Sequence, residues 1–140
     1  MPLRSLKVGD YMSRHPAVLT ANMPIEEAVE RLLRANLAGG PVVDAKKQVI
    51  GFLSEQDCLA HMLEGTYHKE RSATVAECMN SEVVTVNSDT AILDLAQRFG
   101  SNRPKIYPVV DYENRLQGVI SRTQVMIALD LHLRDSYHKP

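Results

Sequence analysis

"GFLSEQDCL" (Gly51–Leu59) and "GVISRTQVM" (Gly118–Met126) follow one pattern: a glycine, two apolar residues, a serine, two polar residues and one further polar side chain. That last residue is Asp57 in the first stretch and Gln124 in the second. The offset of 67 residues between Gly51 and Gly118 extends outward without a gap from Val8 to Glu64. It places Val8 on Val75, Met12 on Met79, Ile25 on Ile92 and Arg31 on Arg98. "PVVD" at Pro41–Asp44 falls on "PVVD" at Pro108–Asp111. A fixed period of this kind is the mark of a duplicated structural unit.

Each copy has the same plan. A short opening segment ("LKVGDYM" or "TVAECM") leads to a brief strand, near Val18–Thr20 or Val83–Val86. A helix follows. Its apolar positions are Ile25, Ala28, Val29, Leu32 and Leu33 in one copy and Ile92, Leu95, Ala96 and Phe99 in the other, the spacing of a helix with one buried face. Pro24 fits its first turn, where a missing N–H breaks no bond. "PVVD", a polar turn and a second apolar run ("VIGFLS" or "LQGVIS") read as a strand pair, and a closing helix starts at Ser54 or Ser121. The expected architecture is α/β (α+β): two β-α-β-β-α repeats, residues 1–66 and 67–140, packed sheet to sheet with pseudo-twofold symmetry.

Composition narrows the function classes. The 140 residues are 44% hydrophobic and 24% charged with a net charge of −1, which predicts a folded chain with no basic face for nucleic acid. A chain of this length buries roughly 68–70% of its unfolded surface, enough for its own core. The longest uninterrupted apolar run, Val125–Leu129, is far short of the roughly 20 residues of a membrane helix, and the N-terminus lacks a signal-peptide pattern. Cys58 and Cys78 have no metal-type spacing and read as free thiols, so the expected location is cytoplasmic. His15, His61, His68, His132 and His138 form no metal pattern, and there is neither a catalytic triad order nor a phosphate-loop motif. No enzyme is expected and no obligatory cofactor.

With the duplication, the paired "PVVD" strands and the Gly-apolar-apolar-Ser-x-x-Asp turn, the chain resembles a tandem pair of CBS domains, a Bateman module, over about Val8 to Leu131. The resemblance implies a free-standing regulatory module that binds an adenine nucleotide or adenosyl compound (AMP, ADP, ATP or S-adenosylmethionine) in clefts between the repeats. It further implies that the Asp of the Ser-x-x-Asp turn holds the ribose and that phosphates lie near the Ser and the start of its helix. The resemblance also implies that the base is held by the strand opening the other repeat and by residues before that repeat's Pro-Val-Val strand.

Mapped onto this sequence, one cleft comprises Ser54, Asp57, Val83, Val84, Lys105 and Ile106, with Arg103 as a further cation. The other comprises Ser121, Gln124, Pro16, Ala17, Leu37 and Ala38, and Arg122, like Arg103, is a nearby candidate for the phosphate. An ionised carboxylate accepts from both ribose hydroxyls more strongly than a neutral amide does. The Asp57 cleft is therefore the expected high-affinity site, and the only one. Ser54-x-x-Asp57 also fits a helix capping box, a structural role compatible with ligand contact. The closing helices are apolar on more than one side, which predicts a homodimer seam. An alternative is an assembly module with vestigial clefts, serving a second copy or an unknown protein partner.

Overall fold

The computed structural model describes residues 5–68, 73–99 and 105–138. Two three-stranded sheets carry the fold. In the first repeat the elements are β1 (Leu19–Thr20), α1 (Ile25–Ala35), β2 (Gly39–Val43), β3 (Val49–Ser54) and α2 (Glu55–His68). A short α3 (Val75–Cys78) precedes β4 (Val86–Asn87), α4 (Ile92–Arg98), β5 (Ile106–Val110), β6 (Leu116–Ser121) and α5 (Arg122–His138) of the second. The counterpart of α3 in the first repeat is a 3₁₀ turn over Val8–Asp10. Each sheet pairs its first strand parallel and its last strand antiparallel to the central one. The β-α-β-β-α plan read from the sequence is the plan of the structure.

Local chemistry sets the boundaries. Pro24 is the residue before α1 rather than inside it, and its carbonyl accepts from the N–H groups of Glu27 and Ala28. Asn36 ends α1 in the left-handed region (φ 55°), where its N–H reaches the carbonyls of Leu32 and Leu33. Strand β4 begins at Val86, not at Val83 as the sequence suggests. Val83 and Val84 therefore lie on unpaired chain ahead of the sheet. Pairing of β2 with β1 begins at Val42, so Pro41 stands just outside that ladder, and Pro108 stands likewise before Val109.

The opening segments cross over. Leu6, Val8 and Met12 are buried with Val86, Ile92, Leu95, Tyr107 and Ile120 of the second repeat. Val75 is buried with Leu19, Ile25, Leu32 and Leu53 of the first, and Cys78 and Met79 pack against that cluster. Backbone pairing fixes both exchanges. Ser13 and Val119 trade hydrogen bonds of 2.8 and 3.0 Å, and Asn80 and Phe52 trade two of 2.9 Å. Each repeat's core is thus completed by the other's opening segment, which holds the two together. A third apolar group, Val43, Val49 and Val110 with Val18, Val83 and Leu116 against it, fills the space between the sheets.

The hairpin turns also meet. Val49 N–H donates to the Asn114 carbonyl (3.0 Å), and Leu116 N–H donates to that of Lys47 (2.9 Å). Lys47 (φ 66°) and Asn114 (φ 63°) occupy equivalent left-handed positions, a conformation that costs a non-glycine residue about 1–2 kcal/mol and that asparagine tolerates better. Asn114 also donates its side-chain amide to the Val49 carbonyl at 3.0 Å. Lys47→Asn is therefore expected to raise stability by about 0.5–1 kcal/mol, seen as a higher urea midpoint with an unchanged slope.

Candidate functional site

Helix α2 begins with a reciprocal cap. The Asp57 N–H donates to Ser54 Oγ at 3.1 Å, and the Ser54 N–H donates to Asp57 Oδ2 at 3.0 Å. Helix α5 repeats the arrangement with an amide, the Ser121 N–H donating to Gln124 Oε1 (2.7 Å) and the Gln124 N–H to Ser121 Oγ (3.4 Å). Aspartate and glutamine therefore serve the cap alike. What differs is charge: Asp57 is half-buried, and its Oδ1 accepts no hydrogen bond from the described residues.

That residue lines a cleft of about 510 Å³ between the repeats. The first repeat contributes Ala38, Phe52 and Ser54 to Asp57; the second contributes Asn80, Glu82 to Val84, Lys105, Ile106 and Pro108. Six residues singled out from the sequence, Ser54, Asp57, Val83, Val84, Lys105 and Ile106, are thus brought to one cavity. Val83 and Val84 reach it because the chain there has not yet entered β4. The Lys105 side chain makes no hydrogen bond or ion pair with a described residue.

Two expectations change. Ala38, assigned from the sequence to the second crevice, lines this one: its carbonyl accepts the Glu55 N–H at 2.9 Å, which ties it to the start of α2. The start of α2 was also expected to offer free N–H groups to a phosphate. The N–H groups of Glu55 and Asp57 are already occupied, by Ala38 O and Ser54 Oγ, and two acidic side chains stand in that first turn.

Ser121, Arg122, Gln124 and Ala17 do not line the cleft. Ser121 and Gln124 cap α5, and the Arg122 N–H donates to the Lys105 carbonyl at 3.2 Å. Ala17 and Leu37 pack against the first repeat's core, and Pro16 is half-buried. Arg103 lies outside the described residues. The residues that sequence reasoning missed are Phe52, Glu55, Gln56, Asn80, Glu82 and Pro108. The offset itself gives no signal for Glu82, whose equivalent is His15.

The remaining reactive groups are quiet. Burial pushes the thiol pKa values of Cys58 and Cys78 up, and nearby acids push the same way, so neither is a thiolate at neutral pH. Among the described residues no group of three His, Cys, Asp or Glu side chains can hold a metal ion, and no helix is long and apolar enough to cross a membrane.

A CBS domain model matches residues 8–64 and again 75–131. The chain belongs to the CBS domain family. Its two CBS repeats are 25% identical over 134 residues to an uncharacterized protein of Methanocaldococcus jannaschii, covering 96% of this chain and 43% of that one. They are 28% identical over 138 residues to the magnesium transporter MgtE of Thermus thermophilus, covering 95% of this chain and 29% of the transporter. The chain thus spans less than half the length of either relative. Among solved structures, the CBS pair is similar to CBSX2 in complex with AMP (26% identity, TM-score 0.79), covering 92% of this chain and 98% of that one; CBSX2 is a CBS-pair protein from Arabidopsis thaliana. It is also similar to the cytosolic domain of MgtE in complex with ATP, at 28% identity and a TM-score of 0.72, covering 86% of this chain and 48% of that domain.

Proposed function

We propose that this CBS pair is a regulatory, non-catalytic module that binds an adenine nucleotide or adenosyl compound in the cleft between its repeats. The carrying observation is that cleft, whose described lining brings Asp57 from the first repeat and Lys105 from the second to one cavity. Asp57 accepts from the ribose hydroxyls, Lys105 meets a phosphate, and Val83, Val84 and Ile106 provide apolar surface for the base. The AMP complex of CBSX2 and the ATP complex of the MgtE cytosolic domain support the ligand class. Ala38 is a further contact in this cleft, whereas Ser121, Arg122, Gln124 and Ala17 stand outside it, so one tight site per chain is expected. Binding changes the relative arrangement of the repeats only if the ligand prefers one arrangement.

A thermal-shift screen with AMP, ADP, ATP and S-adenosylmethionine tests the reading. A ligand at 100 times its Kd stabilises by about 2.7 kcal/mol. No shift with any of the four would refute it.

A second reading rests on a separate observation. Leu59, Met62 and Leu63 on α2 and Met126, Ile127, Leu131 and Leu133 on α5 are large, apolar and exposed. Leu59 and Met126 are equivalent under the 67-residue offset, so related apolar faces recur on the two closing helices, as a seam between two copies of the chain requires. We assign this surface to a homodimer, compatible with ligand binding and sufficient for an assembly role without it. Sedimentation equilibrium at high micromolar concentration is expected to give a dimer, and Leu59→Lys with Met126→Lys a folded monomer. A monomeric unsubstituted chain would refute the seam.

A further inference from the structure

The charge of the described lining of the cleft runs against the most anionic ligands of the proposed class. Of its described lining residues, Glu55, Asp57 and Glu82 are acidic and Lys105 alone is basic. The N–H groups of Glu55 and Asp57 at the start of α2 do not offset this, because both are already bonded within the protein.

The fold does not require these acids. At equivalent positions the other repeat carries Arg122 for Glu55, Gln124 for Asp57 and His15 for Glu82. The local bonding is the same in both. The Glu82 N–H donates to Asn80 Oδ1 at 2.9 Å, and the His15 N–H donates to Ser13 Oγ at 3.4 Å, one turn built with either residue. The Glu55 N–H donates to the Ala38 carbonyl, as the Arg122 N–H does to that of Lys105. Asp57 already has a role at the ribose in the proposed reading, but Glu55 and Glu82 have none there. Their charge is left as a property of the cleft.

We propose that Glu82, with Glu55, sets the ligand selectivity of this cleft. They favour adenosyl compounds in the order of a cationic or neutral 5′ substituent, then a monophosphate, then a polyphosphate. This rests on the cleft being an adenosyl site. Like charges in a partly desolvated cleft repel, and the repulsion grows with each added phosphate charge, whereas the sulfonium and ammonium of S-adenosylmethionine meet the acids favourably.

Titration calorimetry on the intact chain, with AMP, ATP and S-adenosylmethionine in EDTA, tests the proposal. S-adenosylmethionine is expected to bind at least as tightly as AMP, and ATP about tenfold or more weakly than AMP. Glu82→Gln is expected to narrow the gap between ATP and AMP about fivefold, and the double change with Glu55→Gln to narrow it further. Glu113→Gln, on the exposed hairpin away from the cleft, should leave the gap unchanged. ATP binding as tightly as AMP, a gap unmoved by the double change, or magnesium restoring ATP to the affinity of AMP would each overturn the selectivity while leaving the adenosyl site standing. Silence from all three ligands would overturn both.

Discussion

Asp57→Gln is expected to leave the chain as stable as before while lowering its affinity for an adenosyl ligand about tenfold. The expectation follows from a substitution that the molecule already contains. Gln124 makes the α5 cap with the same two hydrogen bonds that Asp57 makes at α2, so glutamine at position 57 keeps the helix start intact. It removes the charge. A hydrogen bond to a charged partner contributes about 1.5–3 kcal/mol against about 0.5–1.5 for a neutral pair, and a loss of about 1.4 kcal/mol is tenfold in Kd. Asp57→Ala should behave differently, losing the affinity and also about 0.5–1 kcal/mol of stability with the cap. Calorimetry and urea denaturation on the two variants separate the roles. Undiminished affinity in both would remove Asp57 from the ligand site.

Gly118→Ala is expected to be the most damaging glycine-to-alanine change among the described residues, costing about 3 kcal/mol. Neither this glycine nor its equivalent Gly51 has positive φ, so the need is for room and not for backbone freedom. A Cβ on Gly118 would overlap the backbone carbonyl oxygen of Ser13, which is fixed by its exchange of hydrogen bonds with Val119. Relief requires the crossed-over opening segment to move, and Val8 and Met12 are held in the second repeat's core on the same segment. At Gly51 the overlap is with the Met79 side chain, which can change rotamer. Gly51→Ala should therefore cost about 1 kcal/mol. Two equivalent glycines thus carry unequal predicted penalties, and equal urea midpoints for the two variants would contradict the crossed packing as the cause.

Much of the fold is legible in one dimension because the chain states it twice. The helix of each repeat follows from apolar residues three and four apart, and the strand pair from "PVVD" and the run after the turn. The errors sit where tertiary bonds compete with local pattern. Val83 and Val84 have strong strand character, yet they stay outside β4 because pairing with β5 starts only at Val86. Ala38 moved between clefts because one backbone bond to Glu55 decides its neighbours.

The candidate site divides along the same line. Ser54, Asp57, Lys105 and Ile106 could be named from the turn motif and the offset. Glu82 could not, since nothing in the residues around it announces that an exposed loop returns to face α2.

The sequence by itself determined the repeat, its element order, the start of each closing helix at its serine and the single carboxylate that distinguishes the two. These depend on near neighbours along the chain, whose spacing is set by helix and strand periods. Only the tertiary structure decided that each opening segment completes the opposite core, that the Glu55 and Asp57 N–H groups of α2 are spent within the protein, and that among the described residues three acids share one cavity with one lysine. Those outcomes depend on distances between residues far apart in sequence, and burial and backbone pairing fix them only when the two halves close on each other.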